Sequence, residues 1–595
     1  MKAYDFTNWE KTPECNGLLF FVQSLEELLF HFGHDSLKVP ALNFHFLCIE
    51  ISKTIDYIEK AIIDKGNLIP LFEELIDSYK KDPMVIKLFG EDPNSLFYQK
   101  NSKNEYIRNC DEIYKDCTTE SSMKKIKATI NYLIEEMKID GKYYSLIKKQ
   151  IEEKISNFSL EDNSSNELYV LTRIWLTELI NIGYSQEYIY YIVKDLFYKK
   201  RLINDVKTEF NQFWRVFDFK NKTYIAYLPV EDNNFLEVLK TLRIYNILPN
   251  TYFSKVQAQW VIEIEIDDYD PYGAREKSLT LLNFIMSLSQ FGSHKEYTLH
   301  ENSTLIIDKE ASKKYYIFDP VKPVQRGRDI GIAKIKDKTY KMFDHFGHFR
   351  KMVPAISLHS LALNSSDPGN QLLNLWTIIE VLIEVERNNS FSRINQICNA
   401  LIPILNLKYI NSLIEQLNED LSRCCIETIN SSLKTINEGS SKDEKLAAIL
   451  VLPKYDSVFD KILSSLGDYP LLVSRMKKYK REFSSRKNIK SILENRRKRL
   501  RWQIMRIYRN RNMVVHDGNY MEYNRVIIQN LHFYVDCLIE MINHYAGLGY
   551  RNTKNIFSAI NMKEYKYLMI LEEVDSDKLP KTINDIDFIS TVLNK

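Results

Sequence analysis

A chain of 595 residues is too long for one hydrophobic core and implies two to four domains. Hydrophobic content of 45% with 27% charged residues excludes a disordered or fibrous chain, and only 17 Gly and 16 Pro leave little room for long flexible linkers or a turn-dense all-β fold. Net charge is +2, yet Arg475 to Arg511 holds sixteen Lys and Arg against two acids, a local net of +14 that leaves −12 for the rest. A footprint so concentrated suits a polyanion, nucleic acid above all, better than a merely solvated helix face.

Residues 1–210 are predicted to be a helical N-terminal region. The segments 18–32, 68–79, 126–139, 168–182 and 188–200 carry apolar residues at helical spacing, with the polar stretch 161–167 among the separators. Between 211 and 350 the period changes. Short strands are predicted at 223–230, 260–266, 303–308 and 314–318, with a helix at 275–290, a small α/β module that could form one regulatory or sensor unit with 1–210. In the second strand Val261, Glu263 and Glu265 alternate with Ile262, Ile264 and Ile266, one face wet and one dry. "DDYDPYG" (267–273) reads as a strand-ending turn. "VQRGRDIG" (324–331) reads as a solvated loop, and His345 and His348 in "DHFGHF" are too few ligands for a zinc site.

From 351 to 548 the chain is helical again, with a C-terminal extension at 549–595. One apolar stripe runs through Leu372, Leu375, Trp376, Ile379, Leu382 and Ile383, and another through Ile527, Leu531, Tyr534, Leu538, Ile542 and Tyr545, with Gly547 as its C-cap. The fold class is therefore mainly α, with a small α/β module. The eight Cys form no C-x-x-C pair, the N-terminus lacks the apolar core of a signal peptide, and no run of about 18 apolar residues occurs. These features place the chain in the cytoplasm with reduced thiols and no membrane partner. No P-loop, G-x-G-x-x-G, G-x-S-x-G or H-E-x-x-H string is present, and no metal or cofactor is expected.

The basic run leads into "RNRNMVVHDG" (509–518). If its helix ends near Met513, an arginine one turn back points the same way as His516, with Asp517-Gly518 as the following turn. A neighbouring cation biases imidazole toward its neutral, base-competent form. The guanidinium fork matches phosphate oxygens. Together they suit RNA transesterification: His516 takes the proton of a ribose 2′-hydroxyl, the oxygen attacks the adjacent phosphorus, and arginine steadies the phosphoryl charge. Asn512 can hold the geometry. Arg496, Arg497, Lys498, Arg499, Arg501 and Arg506 are the candidate RNA contacts. Duplex DNA would share their phosphate attraction.

At these residues the chain resembles the HEPN ribonucleases. "RNMVVH" is similar to their R-x4-6-H signature, and "NLWTIIEVLIE" (374–384) to the first helix of the ApeA-like branch, with its L-W-x-x-x-E pattern. The resemblance covers about 355–548. It implies a C-terminal HEPN helical bundle and a homodimer in which two such turns face each other. It implies metal-independent endoribonuclease activity leaving 2′,3′-cyclic phosphate and 5′-hydroxyl ends. It also implies a role in anti-phage defence or abortive infection with tRNA as substrate. The size of residues 1–350 alone suggests that they hold the switch, through a bound phage product as trigger or by occluding the cleft. Arg511, Asn512 and His516 match the motif and Glu380 its acidic position. Arg509 competes with Arg511, and Glu380 could equally be a rim carboxylate. The alternative is a catalytically silent HEPN fold that dimerises and binds RNA as an adaptor.

Overall fold

The computed structural model describes residues 6, 9–29, 37–93, 99–100, 106–107, 119–160, 163–198, 203–231, 233–242, 245–294, 303–318, 350–365, 367–386, 392–518, 524–572 and 592–593. The segments 324–331 and 344–349, with His345 and His348, lie outside them. The protein is mainly α with a small α/β module, and it divides into two compact units. One combines Met1–Glu178 with Val324–Lys595, and the other is Leu179–Pro323. The divisions thus fall after Glu178 and Pro323, where the sequence placed them at 210 and 350.

The helices of the first half are α1 (Pro13–Leu29), α2 (Phe44–Glu59), α3 (Leu68–Lys81), α4 (Pro83–Phe89), α5 (Glu120–Lys138), α6 (Lys142–Ser156), α7 (Ser164–Ile182), α8 (Gln186–Phe197) and α9 (Val206–Val216). A two-residue ladder pairs β1 (Gln99–Lys100) with β2 (Tyr106–Ile107). The smaller unit carries β3 (Lys222–Val230), α10 (Asn233–Leu242), β4 (Asn246–Pro249), β5 (Trp260–Asp268), α11 (Pro271–Ser293), β6 (Thr304–Asp308) and β7 (Lys314–Ile317). Its sheet is antiparallel throughout, in the order β4-β5-β3-β6-β7.

One face of that sheet, with Ala226, Leu228, Ile262 and Ile264, packs under Leu236 and Leu239 of α10 and Leu279 and Leu282 of α11. The other face is not uniformly wet. Val261 is buried with Tyr227, Phe253 and Leu305, because the loop after β4 folds back over it, while Glu265 stays exposed. Asp270 ends the strand as predicted for a turn. Its carboxylate caps α11 by accepting from the backbone N–H of Tyr272 (2.8 Å) and Gly273 (2.9 Å), and it also accepts from the Ser185 backbone N–H and hydroxyl.

The C-terminal half supplies α12 (Met352–Asn364), α13 (Pro368–Leu382), α14 (Arg393–Leu407), α15 (Tyr409–Cys424), α16 (Ile426–Lys434), α17 (Lys442–Val451), α18 (Asp456–Ser464), α19 (Pro470–Phe483), α20 (Arg486–Asp517), α21 (Asn524–Gly547) and α22 (Thr553–Glu572). By composition 393–424 could cross a membrane, but 72% of its most apolar window is buried inside the protein, and it breaks at Lys408 into α14 and α15.

The 32-residue α20 organises the larger unit. At about 1.5 Å per residue it is close to 50 Å long. Ser485 caps its start by accepting from the Asn488 backbone N–H at 3.2 Å, and Gly518, at φ +66°, ends it in the left-handed region that a Cβ would disfavour. It packs against α3, α13, α14, α19, α21 and α22. In α22, Ile556, Ile560, Tyr567 and Leu571 are buried, so this part of the predicted extension belongs to the helical core. At the end of α21 the positive-φ glycine is Gly549 (φ +93°), whose N–H bonds the Ala546 carbonyl. Gly547 remains helical.

Candidate active site

Helical phase decides what each arginine of the basic run can do. On α20 the buried stripe runs through Ile489, Leu493, Leu500, Ile504 and Ile507. Arg496 falls in step with it, is buried, and lays its guanidinium 4.0 Å over the Tyr409 ring. Arg506 and Arg509 are in step with Trp502 and Met513 and are each 2% exposed. Arg506 Nε donates to Glu50 Oε2 at 2.9 Å and its Nη2 to Glu74, while Arg509 Nη2 donates to Glu50 Oε1 at 2.9 Å. Burial pushes the Glu50 carboxyl up, but the guanidinium groups of Arg506 and Arg509 outweigh it and hold it below the usual carboxylate value. For Glu74 burial wins and the carboxyl is raised.

These placements correct the sequence reading. Arg496 and Arg506 do not present a surface for RNA, and Arg509 is a structural counter-ion rather than the arginine of an exposed motif. Lys498 and Arg501 are exposed, Arg499 is half-buried, and Arg497, though exposed, is ion-paired with Glu564. The basic run therefore shows solvent fewer cations than its composition promises.

The end of α20 is different. The helix runs on to Asp517, so His516 lies in its last turn, exposed, and not beyond the helix end. Five helical residues turn the chain through about 500°, so Arg511 and His516 do not share a face. Asn512, one turn before His516, does. Arg511 Nη1 donates to Asn512 Oδ1 at 3.2 Å, which draws the guanidinium toward that face.

Across from it on α13, Glu380 Oε2 lies 3.8 Å from Arg511 Nη2. Glu380 is held from two further sides: Trp376 Nε1 donates to its Oε1 at 2.8 Å, and Arg393 Nη2 lies 3.2 Å from the same oxygen. The Trp376 ring also packs on Tyr508, centroids 5.7 Å apart. At the other end of α13, Gly369 lies in ordinary contact range of Val514 on α20. The structure thus brings together Arg511, Asn512 and Glu380, with the exposed His516 one helical turn beyond Asn512. Arg393 was missed in the sequence, where nothing in its spacing sets it apart. Trp376 was read only as core, and its indole N–H is what orients Glu380.

Chemically, the arrangement offers an accessible imidazole and, one turn before it, a partly exposed guanidinium held between the Asn512 amide and the Glu380 carboxylate. Among the described residues no group of three or more His, Cys, Asp and Glu is arranged to hold a metal. Comparison with family models, curated proteins and solved structures gives no match to this chain.

Proposed function

We propose that this protein is a metal-independent endoribonuclease of the HEPN type. Its site is built on Arg511, Asn512 and His516, with Glu380 as the carboxylate that fixes the arginine. What supports the reading is the exposure of His516 in the last turn of α20, one turn after an Asn512 that is joined to Arg511 and, through it, to Glu380. His516 accepts the proton of a 2′-hydroxyl, the freed oxygen forms a bond to phosphorus, and Arg511 stabilises the charge on the phosphoryl oxygens. The P–O5′ bond breaks, and the leaving oxygen takes a proton from the imidazolium of a second copy, leaving a 2′,3′-cyclic phosphate and a 5′-hydroxyl.

One exposed motif per chain makes a homodimer the way to complete this site. Val353, Leu361 and Leu363 on α12 and Val515 on α20 are exposed apolar side chains. Val515 lies within the motif itself, so this apolar set includes one of its residues. By resemblance the substrate is tRNA and the setting is anti-phage defence in the cytoplasm, with residues 1–350 able to hold the response to a phage-derived trigger.

The test is incubation of the purified protein with total RNA and end mapping of the products. Wild type should yield 2′,3′-cyclic phosphate ends, and His516→Ala should lose at least about 100-fold in rate while retaining RNA binding. Equal cleavage by the two proteins defeats the assignment. No cleavage by either, with RNA bound by both, points instead to the silent adaptor.

A further inference from the structure

We propose that the larger unit contains a binding site for a nucleoside monophosphate, a phosphate monoester with a compact aromatic body, in the cavity between α2, α3, α7 and α20. The cavity measures about 250 Å3. Its walls are chemically divided. Pro40, Leu42, Phe44, Leu47 and Ile174 make an apolar side, and Arg173, Arg496 and Arg499 a cationic one.

The acids that reach the cavity are already occupied. Glu74 accepts from Arg506, Asp77 accepts from Lys81 Nζ at 2.6 Å, and Asp82 caps α4 and accepts from the Tyr143 hydroxyl. Arg173 and Arg499 have no carboxylate within ion-pair distance among the described residues, and the Arg173 Nε is buried with no hydrogen-bond partner. Burial lowers the Arg173 pKa, and Arg499 lowers it further against the opposing effect of Tyr169. Two guanidinium groups held close at a half-buried wall cost stability unless an anion lies between them. Their planar forks match phosphate oxygens.

The remaining space is apolar, faced by the partly exposed Pro40 and Ile174, which suits a flat base better than a second charged group. The volume falls below the roughly 300–1,000 Å3 of drug-sized ligand sites, so one small ester fits and an oligonucleotide does not. Arg499 and His516 are seventeen residues apart on one helix, or about 25 Å. The cavity is therefore separate from the candidate active site, and the proposal does not depend on the nuclease reading.

The experiment is calorimetric titration of the full chain with AMP, ribose 5-phosphate and inorganic phosphate. AMP should bind saturably and at least about tenfold more tightly than phosphate. Arg173→Gln with Arg499→Gln should abolish binding, and Arg173→Lys, which keeps the charge but loses the fork, should weaken it about tenfold. Circular dichroism and thermal melting establish that each variant is folded. No saturable binding of any probe overturns the proposal, as does binding unchanged in the folded double variant. Phosphate or ribose 5-phosphate binding as tightly as AMP overturns the aromatic body.

Discussion

Two arginines two positions apart on α20 have opposite fates. Arg509 points into the unit and shares Glu50 with Arg506, whereas Arg511 reaches the surface between Asn512 and Glu380. Their substitutions should separate cleanly. Arg511→Gln should leave stability within about 0.5 kcal/mol, as expected for a partly exposed pair, while reducing cleavage by about 100-fold or more. Arg509→Gln should destabilise by about 3–5 kcal/mol because it leaves a buried charge short of its partner. Urea denaturation and cleavage rates on the same two proteins check both, and a stability loss larger for Arg511→Gln would reverse the roles given to them.

A second residue-scale outcome concerns His532. It is buried on α21, its ring edge-on to His359 with centroids 5.7 Å apart, and His359 Nε2 lies 3.0 Å from Asp536. Burial, aided by His359 and opposed by Asp536, lowers its pKa to about 4. The unfolded chain binds this proton at about 6.5. Between those values the unfolded state holds more protons, so stability rises with pH by up to about 1.4 kcal/mol per unit from this group. Asp82 and Asp270, both raised to about 6 by burial, act in the opposite sense, and their contribution declines as pH rises toward 6. The diagnostic quantity is therefore a difference. His532→Asn should lose less stability than wild type between pH 7 and pH 5, and parallel denaturation curves for the two proteins would remove His532 from the account.

At the scale of elements, α20 matters most because its two ends do different work. Its middle is core on several sides, and its last turn, closed by Gly518, carries the exposed His516. Gly518→Val should fray that turn, since a β-branched residue at φ +66° is strained by about 1–2 kcal/mol. Cleavage should fall while the bulk melting transition moves little. The exposed apolar residues of α12 and Val515 supply the dimerisation test. Leu361→Glu with Val515→Glu should give a folded monomer by light scattering that no longer cleaves, and a monomeric wild type would break the composite-site reading.

The larger unit joins the two ends of the chain through charge as much as through apolar packing. Glu27, Glu50 and Glu74 come from the first 90 residues, and they meet Arg475, Arg506 and Arg509 from the last 130. A fragment of residues 324–595 would leave Arg506 and Arg509 without Glu50 and Glu74, and Arg475 with Asp420 but without Glu27, so its core charge network is broken at a cost of several kcal/mol. We expect it to be insoluble or unfolded alone and to recover when co-expressed with residues 1–178, as judged by circular dichroism. Soluble, cooperative folding of the isolated fragment would contradict this. Deletion of residues 1–350 thus cannot report on regulation, since it also removes counter-ions of the core.

By itself the sequence determined the local features of this protein. The mainly helical class, four of the five strands of the larger sheet, the turn at 267–273 and the Gly518 turn follow from periodicity and residue chemistry within a few turns. The apolar stripe through Trp376 is legible in the same way. What it could not determine is where a long polar side chain ends. Arg496, Arg506 and Arg509 carry the same charge as Lys498 and Arg501, and only the carboxylates of α2 and α3, more than 400 residues away, turn two of them inward. Phase along α20 already hinted at this, because those three share the register of its buried residues. The choice of Arg511, the orientation of Glu380 by Trp376 and Arg393, and the cavity beside Arg173 were decided by packing between distant helices, since an ion pair depends on distance in space and a sequence records only distance along the chain.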